Sequence, residues 1–99
     1  MKENIYIFTF YKFITISDKS TLQRKILDLM KTYSIFGTIL IANEGINASL
    51  SGCEAELDDS VKYIKKNLKI RKLFIKRNHI NFHPFNKLKV RVKKEIISL

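Results

Sequence analysis

Gly37-Thr-Ile-Leu-Ile-Ala-Asn-Glu-Gly-Ile-Asn-Ala-Ser-Leu-Ser-Gly52 is the stretch on which the fold turns. Residues 37–43 form a nearly continuous apolar strand, and Ile46 to Leu50 forms another. Asn43-Glu44-Gly45-Ile46-Asn47 has turn chemistry between them: Gly45 permits a positive φ, and the Asn side chains satisfy nearby backbone groups. The stretch therefore reads as a hairpin, and helical patterns flank it on both sides. Upstream, Ser17-Asp18-Lys19-Ser20 supplies capping oxygens before Leu22, Ile26, Leu29, Met30 and Tyr33 recur at helical spacing, which predicts a helix over 19–34. Downstream, Ser51-Gly52-Cys53-Glu54 fits a capping box, with the Ser51 hydroxyl accepting from a first-turn N–H and Glu54 reaching back. Leu57, Val61, Ile64 and Leu68 then mark the inner face of a second helix over 53–67.

The ends of the chain complete the pattern. Residues 4–16 are β-branched and aromatic without Gly or Pro and predict a long first strand. One parity carries Tyr6, Phe8, Phe10, Ile14 and Ile16 and the other Ile5, Ile7, Tyr11 and Phe13, so the strand should be central and covered on both sides for part of its length. The second apolar face is surface that a lone sheet of this size leaves open, which suggests a docking partner. Arg71 to Arg77 predicts a fourth strand, and 78–86, with the single Pro84, a loop. From Lys87 to Ile97 the chain alternates: Lys87, Lys89, Arg91 and Lys93 point one way, Leu88, Val90 and Val92 the other. The order β-α-β-β-α-β defines an α+β class, a ferredoxin-like (acylphosphatase-like) sandwich with an antiparallel sheet and both helices on one face, plus a basic C-terminal strand or arm.

Composition sets the limits. With 99 residues, 45% of them apolar, the chain can bury one core and holds no second folded unit, so residues 1–99 are a single domain and an enzyme complete in itself is not expected. Its end just after Ile96-Ile97, without a polar tail, reads as the N-terminal piece of a longer protein. Cys53 is the only cysteine, which excludes an intrachain disulfide framework and a multi-cysteine zinc site. No signal peptide or membrane-length apolar run is visible, and the cytoplasm is the expected compartment.

Charge is uneven. The chain carries +10, of which residues 1–52 contribute +2 and residues 53–99 contribute +8. Ten Lys or Arg and no acid lie between Lys69 and Lys94. Such a one-signed field attracts polyanions by counterion release. The competing explanation is codon bias, since fifteen Lys, fifteen Ile and seven Asn fit an A/T-rich genome and surface lysines can simply solvate a domain.

Other constellations are weaker. Cys53 sits at a helix start, but Glu54, Glu56, Asp58 and Asp59 make the wrong field for an anionic nucleophile, and no Cys-His arrangement is visible. His79 and His83 have the spacing of a helical metal pair, yet Pro84 disfavours a helix there and no carboxylate or thiolate lies close by, so no metal site is expected. The loop is expected instead to present imidazole with Phe82 and Phe85 to a partner. RNA-recognition modules of this topology stack bases on third-strand aromatics, and residues 44–50 have none. The glycine-rich phosphate cradle with its arginine, found after the first strand of acylphosphatases, is replaced by Ile16-Ser17-Asp18-Lys19.

Three blocks in order, Tyr11 to Asp18, Gly37 to Gly52 and Pro84 to Ile97, resemble the N-terminal domain of the rhodanese-related tRNA uridine hydroxylases (UPF0176-type). Glu44, Gly45, Ile46 and Asn47 are the core of the middle block. The resemblance implies a place in tRNA modification: full-length members continue into a rhodanese domain with the catalytic cysteine and form 5-hydroxyuridine at the wobble position in an oxygen-dependent reaction. Cys53 does not match that cysteine and inherits no role. This chain is then expected to be non-catalytic, without cofactor, and to contribute tRNA backbone binding and domain docking. Arg71, Lys72, Lys76, Arg77, Lys87, Lys89, Arg91 and Lys93 are the expected phosphate contacts. The alternative is a protein-interaction module without RNA contact, in which the basic strand and the Phe82/Phe85 loop dock the rhodanese domain of the same or a split protein, or form a homodimer. No membrane partner is expected.

Overall fold

The computed structural model describes residues 4–93. The elements are β1 (Ile5–Phe13), α1 (Lys19–Met30), β2 (Phe36–Ala42), β3 (Gly45–Gly52), α2 (Glu54–Leu68), β4 (Lys76–Ile80) and β5 (Leu88–Val92). They build one sheet in the order β4-β1-β3-β2-β5. β1 pairs antiparallel with β3 and β4, β2 antiparallel with β3, and β5 parallel with β2. The first six elements are the expected β-α-β-β-α-β unit, and the basic C-terminal segment is a fifth strand on the far edge rather than an arm. Being parallel to β2, it makes the sheet mixed rather than antiparallel throughout. Residues 94–99, the end of the expected alternating run, lie outside the described residues.

Side-chain parity builds the core. Phe8 and Phe10 from β1, Ile46, Ala48 and Leu50 from β3, Ile39 and Ile41 from β2 and Val90 from β5 all face the helices. Leu22, Ile26 and Met30 of α1 and Leu57, Val61 and Ile64 of α2 close over them. Each fully buried Leu, Ile, Phe or Met stabilises the fold by about 1.5–3 kcal/mol relative to exposure. Asp18 starts α1 as expected: its carboxylate accepts from the Thr21 hydroxyl at 2.7 Å and the Thr21 N–H at 3.2 Å. These hydrogen bonds, the hydroxyl's first, hold the Asp18 carboxyl below its usual value.

Three local expectations change. α1 ends at Met30 rather than 34 because the Thr32 and Tyr33 amides bond three residues back, to Leu29 and Met30, and the Ser34 N–H donates to Glu56 Oε1 at 3.2 Å. The capping box does not form. Ser51 opposes Ile7 within β3, Cys53 is the N-cap of α2 without a side-chain hydrogen bond, and Glu54 lies 3.8 Å from Arg77 instead. The fourth strand begins at Lys76, not Arg71, because pairing with β1 starts at Thr9. Upstream, Lys69 closes α2 in the left-handed conformation (φ 56°), while Leu73 and Ile75 pack on the core outside any strand.

The connection from β4 to β5, residues 81–87, runs from one sheet edge to the other. Four strand spacings are about 19 Å, and eight extended residue steps reach on the order of 26 Å, so the segment can just cross the sheet. Its His83 ring meets Phe36 edge to face at 5.3 Å. Ile7, Ser51 and Phe36 share that end of the sheet by register, and Ser51 is fully buried there.

Candidate nucleic-acid interface

The sheet face opposite the helices carries the functional candidates. Residues in register share a face, so Lys76, Thr9, Ser49, Thr38 and Lys89 form one row across all five strands. Within it the Thr9 and Ser49 hydroxyls are 3.5 Å apart. A second row runs Tyr11, Asn47, Leu40, Arg91. In the first row polar uncharged side chains thus lie between cations at both edges, and the second row has its cation at the β5 edge. Lys76, Lys89 and Arg91 are exposed, and no described carboxylate lies within ion-pair distance of them.

The described acids sit elsewhere. Asp18 caps α1, Asp28 is within it, Glu54, Glu56, Asp58 and Asp59 belong to α2, and Glu44 is in the β2–β3 turn. The segregation follows from local rules: α2 gathers carboxylates in its first turn, where the helix dipole favours them, and Lys65 and Lys66 in its last.

The eight expected phosphate contacts therefore divide. Lys89 and Arg91 share the open face at the β5 edge, and Lys76 stands at the β4 edge. Lys87, exposed just before β5, lines a cavity of about 380 Å³ with Lys89, Thr38 and His83. Lys93, also exposed, follows β5, its N–H bonded to the Ile41 carbonyl at 2.7 Å. Arg71 and Lys72 are exposed in the segment before β4, not on a strand. Arg77 stands apart from the others. Paired with Phe8, it turns to the helix side, where its guanidinium lies 2.9 Å from Asp58, 3.8 Å from Glu54 and 4.4 Å above the Phe8 ring. Alternation along β4 separates Arg77 from Lys76, and sequence proximity concealed it.

The Glu44–Asn47 block has a structural account. Asn43 and Glu44 make the two-residue turn, and their carbonyls receive the Ile16 and Ile14 amides at 2.9 and 3.0 Å. A Cβ at Gly45 would strike the Lys12 carbonyl oxygen. Ile46 is core, and Asn47 lies half-buried on the open face. Cys53 is exposed. His79 stands on β4 beside the Tyr6 ring at 4.9 Å and 3.3 Å from Asn4 Oδ1, whereas His83 is in the crossing loop. Among the described residues no group of three His, Cys, Asp or Glu side chains could hold a metal ion, and no helix is long and apolar enough to cross a membrane.

Of the apolar second face of β1, Ile5 is buried and Ile7 half-buried, while Tyr11 and Phe13 stay 60% and 58% exposed. They are joined by Phe74, 87% exposed, whose place no sequence signal revealed because it was assigned to a strand.

Solved structures share the arrangement. The dark-state BLUF protein BlrB superposes with a TM-score of 0.67 at 12% identity, covering 93% of this chain and 75% of that one. An acylphosphatase from Coxiella burnetii gives 0.51 at 10% identity, covering 91% and 94%. At such identities the likeness establishes an acylphosphatase-like, ferredoxin-like fold and nothing about activity. Sequence comparison is more specific: the model of the UPF0176 acylphosphatase like domain matches residues 5–96, and the chain belongs to that family. A tRNA uridine(34) hydroxylase of Rickettsia rickettsii is 41% identical over 99 residues, covering 100% of this chain and 40% of the relative. Proteins of the same name from Neorickettsia sennetsu and Legionella pneumophila are each 34% identical over 97 residues, with 34% and 38% of their lengths covered. The chain thus spans two fifths or less of these relatives.

Proposed function

We propose that this domain is the non-catalytic N-terminal part of a tRNA wobble-uridine hydroxylase and holds tRNA through its phosphates, with Lys76, Lys87, Lys89, Arg91 and Lys93 as the principal contacts. One observation carries it: the described acids lie in the helix layer and the hairpin turn, so that among the described residues the open sheet face is one-signed. Membership in the family and relatives named for tRNA modification support tRNA as the polyanion. Phosphate contacts supply affinity and register without reading sequence. The reaction itself belongs to residues outside this chain, consistent with the share of the relatives that it spans.

Titrating tRNA at several salt concentrations tests the proposal. If about five phosphates are neutralised, log K should fall against log[salt] with a slope of about −3.5, taking the single-strand coefficient. The double reversal Lys89→Glu/Arg91→Glu should flatten that slope by about 0.7 per lost contact. A flat response in the unaltered chain, or no binding at low salt, would refute it.

A second reading, docking of a rhodanese domain or a second copy, rests on Phe82, 59% exposed in the loop beside Lys87. It predicts that the same charge reversal dissociates a complex while tRNA affinity stays constant.

A further inference from the structure

β4 is shorter than the strand it pairs with. It covers β1 from Ile5 to Thr9, whereas β1 continues to Phe13 paired with β3 alone. Beside that unpaired edge lies a groove of about 580 Å³, with Thr9, Tyr11, Lys12, Phe13, Phe74 and Lys76 in its lining. Its three rings are the most solvent-bared hydrophobic cluster described, and contiguous apolar surface of this kind marks a binding site. Tyr11 and Phe13 meet edge to face at 5.7 Å and 72°, so they do not stack on each other.

The rim decides the chemistry of the occupant. Lys12 and Lys76 line the groove, and no described carboxylate does. A second copy meeting this edge would set each pair of lysines against its equivalent, and like charges directly opposed across strands are destabilising. Lys76 also begins the row across the open face, so groove and cationic face are continuous. Aromatic rings flanked by cations suit a single-stranded nucleic acid, because every base has a π-face to stack and every linkage a phosphate to neutralise. Main-chain groups along the uncovered edge remain for the polar rim of a base.

We infer that the groove seats an unpaired nucleobase of an RNA strand against Tyr11, Phe13 and Phe74, with Lys12 and Lys76 on the flanking phosphates. The inference rests on the RNA-binding role proposed above and adds to it a preference for single strands. Stacking does not discriminate strongly among bases, so the groove orders an unpaired nucleotide without specifying it.

Fluorescence anisotropy on the whole 99-residue chain, with a labelled ten-nucleotide oligouridine and an RNA duplex of equal length, tests it. Phe74→Ala should weaken oligouridine binding by roughly 5- to 150-fold, the range for loss of one stacked base, and leave duplex affinity and its salt slope unchanged. Phe74→Trp should retain oligouridine binding, and Tyr11→Ala should reproduce the loss independently. If both alanine variants bind oligouridine as well as the unaltered chain, the groove is not a base site, yet the phosphate-binding role stands. Absence of all RNA binding at low salt overturns both. If sedimentation shows that Phe74→Ala instead dissolves a self-associated state with oligouridine affinity intact, the groove is a protein contact and the inference fails.

Discussion

The two faces of the sheet are made from the same strands by alternate residues, and they obey different physics. On the helix side, Phe8, Ile39, Ile46 and Leu50 are 0–1% exposed, and their burial drives folding. On the other side, Lys76, Thr9, Ser49, Thr38 and Lys89 stand in one row, where no helix covers them. A strand residue therefore has its role set by parity before its chemistry matters. Phe8 and Thr9 are adjacent in sequence but serve stability and surface respectively.

The sharpest way to break this contrast is to truncate each neighbour. Phe8→Ala should cost about 3–5 kcal/mol, read from the urea midpoint, whereas Thr9→Ala should stay within about 0.5 kcal/mol. Equal losses would mean that the open face is covered in solution. Gly37→Ala should cost at least about 2 kcal/mol, because φ is +131° and the new Cβ would run into the Ser49 carbonyl. A near-neutral result by the same measurement would place the β2–β3 pairing elsewhere.

Arg77→Ala sharpens the division of the cations. Its side chain is 43% exposed against Asp58 and lies over the Phe8 ring. The loss should be about 1 kcal/mol, smaller at high salt, with tRNA affinity unchanged. A fall in tRNA affinity with stability intact would return Arg77 to the phosphate-binding set. The smallest effect belongs to Ser51, whose buried hydroxyl has no hydrogen-bond partner among the described residues. Ser51→Ala should shift stability by less than about 1 kcal/mol, towards stabilisation, since no bond is lost and a desolvated polar group is removed. A larger loss in thermal unfolding would show that the hydroxyl is bonded.

Much of the fold was legible in residues 18–68. The hairpin, Asp18 as a cap and the stripe Leu57, Val61, Ile64 are local patterns, and local hydrogen bonding and burial enforce them. The capping box was not recoverable in this way. Ser51 has the right residue type, but its pairing with Ile7 and Phe36 takes it into β3. The limits of β4 were equally hidden, because a strand starts where its neighbour can pair, and that neighbour, Thr9, is far away in sequence. In the candidate site, Lys89 and Arg91 were legible as alternation, while Arg77 and Phe74 required the register and path of residues 69–80.

The amino-acid sequence by itself determined the order of elements, the apolar stripes, the basic C-terminal third and the family to which the chain belongs. Tertiary structure alone decided that β5 joins β2 at the opposite edge from β4, that Arg77 turns to the α2 carboxylates while Lys76 stays on the open face, and that three aromatic rings line one groove where β4 falls short of β1. The first group depends on periodicity and residue type along the chain. The second depends on which distant strands pair, and pairing register is set by burying one whole face at once, a property that no single segment possesses.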